Sequence, residues 1–479
     1  VRAQLVRVTA VVLASSLVAS LAFNGLRHLG EWSGDALIHL SLAERAARGA
    51  WFELNAGEPV AAETSIAWLG VEALLVRAGG MRAVLALVPY VEIAAMIATA
   101  WLAFVLARRA GAARIPSSFG ALSAIALPGV AFNAALGMES MVFAAAALAF
   151  LSCFTSRGAL GRAWVCGLAL GVAALIRPEG FLLAVVLAMD LRSVHGARRA
   201  AVTLGVAALV IAPPLAFHFA RTGSVLSTAS GWSRVMMARR RSDSLHVVGP
   251  IWIYGAVFVR LVVYAPLSIA ALVALLHAPA ASDSARRVRH ALGLVAGAGI
   301  VTYGLVAGSA HVARHTTWLF AIVSTLAAVG VDRLTSAPRR TWHLVALAAV
   351  LTALMAAETT LRSGVVPTSS ADVARLVADR VATTDSLRAA ICAGGCCRDD
   401  VVPRILATEV QLRLSLDDRI AIASTDGRTG PSVRFDASGC PSIGAELADS
   451  RVVAVAAPLL ADLPSTCSDS ELGRAIDRA

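Results

Sequence analysis

Four groups of ionisable residues interrupt an otherwise apolar chain, and their types suit one kind of chemistry. They are Asp35, Glu139 within Gly137-Met-Glu-Ser140, Arg177 and Glu179 within Arg-Pro-Glu-Gly180, and His311, Arg314 and His315 ahead of a late apolar run. A carboxylate can take a proton from a hydroxyl while guanidinium groups stabilise a departing phosphate. Charges in or beside a bilayer are costly, which makes each a functional candidate. Each also has a plainer reading. Asp35 and Glu139 suit the first turn of a helix, with Ser33 as a cap for the former. Pro178 and Glu179 suit a helix start, so the tetrad also reads as hairpin punctuation. Arg314 suits a helix C-terminus or a lipid headgroup.

The elements that position these residues must be membrane helices. Hydrophobic residues make up 58% of the 479 and charged ones 15%, with a mean hydropathy of +0.73, far from the balance of a soluble domain. The net charge of +11 comes from arginine alone, since the chain has no lysine. These arginines are scattered in twos and threes between apolar runs instead of gathered on one face, which reads as topology and not as nucleic-acid binding. A span needs about 20 apolar residues, and runs of suitable character fall at roughly 5–26, 81–107, 115–135, 138–156, 162–177, 180–191, 200–220, 249–276, 290–308, 316–332 and 341–361. The first exceeds a secretory core and reads as a signal-anchor helix. The pair 162–177 and 180–191 reads as a tight hairpin turning at Arg177-Pro-Glu-Gly180. Gly167-x-x-x-Gly171 reads as helix packing.

The longest polar interval of the first two hundred residues runs from Trp32 to Trp68. It holds an amphipathic segment from Asp35 to Gly49, a turn at Asn55-Ala-Gly-Glu-Pro59, and Thr64-Ser-Ile-Ala-Trp68. The stretch 65–76 is too short to span and reads as interfacial. With that choice and a cytoplasmic N-terminus, the loops holding Arg108, Arg109 and Arg114; Arg157 and Arg162; Arg192, Arg198 and Arg199; Arg286, Arg287 and Arg289; and Arg333, Arg339 and Arg340 all face the cytoplasm, as the positive-inside rule requires. The four polar groups then share the outer face. Arg239-Arg-Arg241 is the exception, an outer-loop run that reads either as a contact for anionic lipid phosphate or as a solvated loop.

After Arg362 aromatics nearly vanish and short β-branched runs alternate with helical stretches. This reads as a small outer α/β or α+β domain. Five cysteines fall there, Cys392, Cys396, Cys397, Cys440 and Cys467, which favours an oxidising location with one or two disulfides over a zinc site lacking histidine. Cys153 and Cys166 lie in apolar spans and read as small buried hydrophobes.

Asp35-Ala-Leu-Ile, Gly49, Asn55-Ala-Gly-Glu-Pro-Val60 and Thr64-Ser-Ile-Ala-Trp68 resemble the first outer loop of a bacterial family of GT-C glycosyltransferases that includes the mycobacterial terminal arabinofuranosyltransferases. That loop typically reads Asp-Asp-Ala-Tyr/Phe-Ile, Asn-Pro-Gly-Glu and Thr-Ser-Pro-Leu-Trp. Leu136-Gly-Met-Glu-Ser140 resembles the family's Ser-Gly-Met-Glu-Thr, Ile176-Arg-Pro-Glu-Gly180 its Thr-Arg-Pro-Glu-Gly, and Arg314 the Arg of an Arg-Tyr/Phe segment before a late span. Gly34 stands where the family has the first acid of its pair, Leu37 where it has an aromatic, Ser41 and Glu44 where it has arginines, and Ala56 and Ile66 where it has prolines.

The resemblance implies a GT-C-like helical membrane domain over 1–361, with 28–80 as its first outer loop, and an extracytoplasmic domain over 362–479. It implies inverting transfer of a sugar from a polyprenyl-phosphate donor to an envelope glycan, lipid or protein on the outer face of a bacterial inner membrane. Asp35 is then the general base, Arg177 and Arg314 meet the donor phosphate, and Glu139 holds a divalent cation (Mg, Mn or Ca) or sugar hydroxyls. Trp68 stacks on sugar or lipid, and Thr64, Ser65, Glu179 and His311 complete the substrate contacts. Two other expectations stand beside this one. The chain is a non-catalytic relative serving envelope assembly, which Gly34 and Ser41 favour, or a lipid-linked sugar transporter, against which no pair of matching broken spans is seen.

Overall fold

A helix that is apolar on every side must lie in lipid or in the middle of a bundle, and this chain uses both solutions. The computed structural model describes residues 2–55, 58–59, 61, 65–156, 162–191, 193–225, 265–276, 282–305, 315–336, 341–362, 368–369, 390–392, 432–435 and 441–443. The chain divides into two units, one formed by 1–33, 63–68 and 86–367, the other by 34–62, 69–85 and 368–479.

In the first unit the helices are α1 (Arg2–Asn24), the later part of α3 (Ile66–Arg109), α4 (Arg114–Ala126), α5 (Pro128–Asn133), α6 (Ser140–Thr155), α7 (Ala163–Ile176), α8 (Val194–Thr222), α9 (Ala265–Leu276), α10 (Asp283–Leu305), α11 (Thr317–Ser336) and α12 (Thr341–Arg362). Between α7 and α8 runs a 3-10 helix, Pro178–Met189. The core is built around α11, whose residues from Trp318 to Val329 are all buried. Small residues let neighbours approach it. A Cβ at Gly120 of α4 would come within 2.8 Å of the Ser324 carbonyl oxygen, and one at Gly330 of α11 within 1.9 Å of that of Ala270 in α9. On α6, Phe143 meets Trp318 edge-on with ring centroids 5.7 Å apart.

The outer helices face lipid on one side. On α1, Val8, Val11, Val12 and Val18 are exposed while Leu13, Leu17, Ser20 and Asn24 are buried. Its buried polar groups are matched, as a dry interface demands. Ser20 Oγ donates to the Ala126 carbonyl at 2.6 Å and Asn24 Nδ2 to Thr359 Oγ1 at 3.0 Å. Among the described residues four helices are long and apolar enough to cross a membrane, namely Val8–His28, Ile66–Arg109, Val194–Thr222 and Thr317–Thr335. Shorter apolar helices lie at Ser140–Thr155, Ala163–Ile176, Pro178–Met189, Pro266–Leu276 and Ala348–Thr360.

Several expected spans have a different shape. The interfacial stretch 65–76 and the span 81–107 are arms of one helix, α3, broken at Gly79 and at Gly80, where φ is +70°. Glycine tolerates that conformation without a Cβ clash. The expected span 115–135 is two helices, because Pro128 disfavours helical geometry at the preceding residue and Leu127 is extended at φ −60°, ψ 136°. The Gly167-x-x-x-Gly171 reading holds: α7 packs on α8, and a Cβ at Gly167 would stand 2.6 Å from the Thr203 carbonyl oxygen and from Val206 Cβ.

The cytoplasmic side expected from sequence carries a second polar knot. Asp190, which ends the 3-10 helix, is buried and faces Arg199 at 3.6 Å and Arg287 in a shorter ion pair. Both guanidinium groups lie over the Phe154 ring, 5.3 and 4.8 Å from its centroid.

In the second unit α2 (Gly34–Ala47) packs on β1 (Glu53–Asn55), which pairs antiparallel with β2 (Glu58–Pro59), Glu53 opposite Pro59. A further three-stranded sheet joins β3 (Ala390–Cys392) parallel to β4 (Ser432–Phe435) and β4 antiparallel to β5 (Pro441–Ile443). The expected disulfide partners Cys396, Cys397, Cys440 and Cys467 lie outside the described residues.

Replacing Gly167 by leucine is expected to destabilise the α7–α8 contact by about 1–3 kcal/mol. Gly205→Ala on α8, where a Cβ meets nothing within 4 Å, is expected to raise stability by up to about 1 kcal/mol. Thermal unfolding of the two variants in detergent measures the difference.

Candidate functional site

The tetrad Arg177-Pro-Glu-Gly180 turns the chain sharply. Pro178 disfavours helical geometry at Arg177, which is extended at φ −153°, ψ 142° and ends α7. The Arg177 N–H still reaches the Ala173 carbonyl at 2.9 Å, and the Gly180 N–H reaches the Arg177 carbonyl at 2.9 Å. A Cβ at Gly180 would lie 2.5 Å from the Ala174 nitrogen, so the turn folds directly back on α7. The Arg177 side chain is left 2% exposed.

Buried guanidinium groups need anions, and Arg177 has two. Nη1 donates to Glu139 Oε1 at 2.7 Å, while Nε and Nη2 donate to Glu179 Oε2 and Oε1 at 3.3 and 3.0 Å, a forked pairing with strong directionality. His315, just ahead of α11, joins them. Its Nδ1 lies against Arg177 Nη2, a donor, and 3.1 Å from Glu179 Oε1, an acceptor. It accepts from the arginine when bare and donates to the carboxylate when it carries a proton. Glu139 is fully buried, whereas the Glu179 and His315 side chains keep 14% and 23% of their surface.

Glu179 stands in the first turn of the 3-10 helix, held by Arg177 and His315.

Glu139 depends on a loop built from both sides. Glu139, expected in the first turn of a helix, stands at the N-cap of α6 without a side-chain capping bond, and its carboxylate turns to Arg177. Gly137, at φ +73°, lies flat on Trp32, where a Cβ would come 2.3 Å from a ring carbon. The Ser33 N–H donates to the Leu136 carbonyl at 3.2 Å. From α3, Glu92 Oε1 accepts the Gly137 N–H at 2.6 Å, and Glu92 is 1% exposed. Glu92 was not among the residues singled out in the sequence. Its signal was plain, a carboxylate in the middle of an apolar span.

Of the four groups singled out in the sequence, Glu139, Arg177, Glu179 and His315 form this one cluster. Asp35 lies in the first turn of α2, in the second unit. Ser65 caps α3, its Oγ accepting the Trp68 N–H at 3.3 Å, and both residues are buried. Thr64, His311 and Arg314 fall outside the described residues. Arg177, expected on a phosphate, is already committed to two carboxylates. Glu139, expected on a divalent cation, gives an oxygen to that arginine, and no three His, Cys, Asp or Glu side chains gather into a metal set among the described residues. Among the described residues, then, no ligand set for a cation is assembled.

The bundle has the GT-C fold of membrane glycosyltransferases. It is similar to ArnT from Cupriavidus metallidurans, solved bound to undecaprenyl phosphate, at a TM-score of 0.51 and 14% identity over 90% of this chain and 93% of that one. It is also similar to the Archaeoglobus fulgidus oligosaccharyltransferase, at 0.54 and 13% over 87% of this chain and 64% of that one, and to the same enzyme tethered to an acceptor peptide, at 0.51 and 12%. At these identities the likeness is one of fold. No family model and no curated protein matches the sequence.

Removing the cation from a buried pair costs far more than the pair's net worth. Arg177→Ala is expected to destabilise the protein by about 3–5 kcal/mol, seen as a large drop in unfolding temperature. Glu92→Leu, which leaves the Gly137 N–H without its acceptor, costs about 1–3 kcal/mol, while Glu92→Gln, which keeps an acceptor oxygen, stays close to the parent in the same unfolding measurement.

Proposed function

We propose that this chain is a multi-pass membrane glycosyltransferase that transfers a sugar from a polyprenyl-phosphate donor to an acceptor hydroxyl at the outer face of a bacterial inner membrane. The observation that carries the reading is the buried Glu139–Arg177–Glu179 cluster with His315 within a GT-C fold, since such a dry, pre-arranged charge set is what a reaction developing charge at a membrane surface requires. The undecaprenyl phosphate in the ArnT structure supports a lipid-phosphate donor. The acceptor peptide tethered to the archaeal enzyme supports transfer to a separate acceptor molecule.

In this reading the Asp35 carboxylate accepts the proton of the acceptor hydroxyl as its oxygen attacks the anomeric carbon. The bond from that carbon to the phosphate oxygen breaks on the opposite side, polyprenyl phosphate leaves, and the anomeric configuration inverts. Glu179 and His315, the members of the cluster with exposed surface, meet the sugar hydroxyls. Arg177 serves by holding both carboxylates in register, and Arg314 takes the leaving phosphate. Ser65 and Trp68 belong to the start of α3. The N-terminus lies in the cytoplasm and residues 362–479 form an outer domain that engages the acceptor.

The test is a transfer assay on the purified protein in nanodiscs with a panel of polyprenyl-phosphate sugars, with and without EDTA. Release of polyprenyl phosphate is expected, reduced about 10²–10⁴-fold by Asp35→Asn without loss of folding. Unchanged turnover in Asp35→Asn removes Asp35 from the mechanism. A folded protein that binds polyprenyl phosphate but turns over no donor marks a non-catalytic relative.

A further inference from the structure

Helices α6 and α7 are consecutive, and the Glu139–Arg177 pair ties the start of the first to the end of the second. At their other ends stand two cysteines. Cys153 is in the last turn of α6 and Cys166 in the first turns of α7, and the Cys166 thiol donates to the Cys153 sulfur across 2.8 Å. Both are free thiols. Cys166 is fully buried, while Cys153 keeps part of its surface open. The surroundings of Cys153 are polar for a membrane helix. Arg109 Nη1 donates to the Ser152 carbonyl and to Ser156 Oγ at 3.0 and 2.9 Å, and Arg199 Nη2 donates to the Phe154 carbonyl at 2.6 Å. A water-borne reagent can thus meet Cys153, and Cys166 stands behind it.

From this geometry we propose that Cys153 and Cys166 are a redox modification site, a dithiol that a disulfide oxidant converts to a disulfide pinning the ends of α6 and α7. The Cys153 thiolate attacks one sulfur of the oxidant, forming a mixed disulfide and expelling one thiol. The Cys166 sulfur then attacks the Cys153 sulfur and expels the second. The protein loses two protons and two electrons, and the oxidant's disulfide is reduced to two thiols. Because the sulfurs already touch, closure requires a shift of under an ångström toward the usual bond length of about 2.05 Å. In the orientation proposed above this end faces the cytoplasm, so the pair rests as a dithiol and closes under oxidative load. The site stands independently of the transfer reaction.

Reduced full-length protein in detergent, treated with oxidised glutathione, digested and mapped by mass spectrometry, tests this directly, since the C-terminal cysteines fall in other peptides. The expected product is the peptide containing residue 153 joined to the peptide containing residue 166, with both thiols lost to alkylation, a higher unfolding temperature, and reversal by dithiothreitol. In Cys166→Ser, Cys153 accumulates a stable glutathione adduct; in Cys153→Ser, Cys166 remains an unmodified thiol. Persistence of both thiols under conditions that fully oxidise the unfolded chain would overturn the proposal. So would a wild-type Cys153–glutathione adduct that never resolves.

Discussion

A guanidinium placed in an apolar bundle must be neutralised on the spot, and much of the first unit follows from how Arg177 meets that demand. Its two carboxylates come from different elements, Glu179 from its own turn and Glu139 from a loop 38 residues earlier in the chain. Burying three charges together is tolerable only if each keeps its partners, so the turn and the loop are each held by further contacts. Gly180 presses the turn onto α7. The loop is laid flat on Trp32 and tied to Glu92. Removing any one of these leaves the ion pairs with correct residue types in the wrong place.

Helix packing supplies the rigidity that the cluster needs. The central helix α11 is approached by α4 and α9 through glycines, so backbones come close and leave little room for sliding. His315 stands at the entrance to this helix, and its position against Glu179 is therefore inherited from the best-buried element of the bundle. The polar knot of Asp190, Arg199 and Arg287 secures the far end of the same layer.

Much of this was legible from residue order. Apolar length located α11 and α12 to within a few residues, and the glycines of Gly167-x-x-x-Gly171 announced a close helix contact. The polar groups that form the cluster were legible as charges that lipid would not tolerate. Their pairing was not, because an ion pair between residues 139 and 177 depends on how two helices return on one another, and hydropathy carries no such information. Glu92 was visible but hidden by averaging, since one acid scarcely lowers the hydropathy of a long apolar run. The break at Leu127 had its cause in plain sight in Pro128, yet the apolar residues on both sides masked it.

The 3-10 helix from Pro178 to Met189 has a geometrical consequence. A 3-10 helix rises about 2.0 Å per residue, so these 12 residues reach about 24 Å, whereas the same segment as an α-helix, at 1.5 Å per residue, would cover about 18 Å. The hydrocarbon layer is about 30 Å thick, and the thinner winding lets 12 residues reach further along that thickness than an α-helix would. Each end of the segment is moored by arginine, through Glu179 at Arg177 and through Asp190 at Arg199 and Arg287. Rewinding the segment into an α-helix would draw its two ion-paired ends together by about 6 Å. The spacing between the two polar layers of the bundle is thus written into the pitch of a single helix.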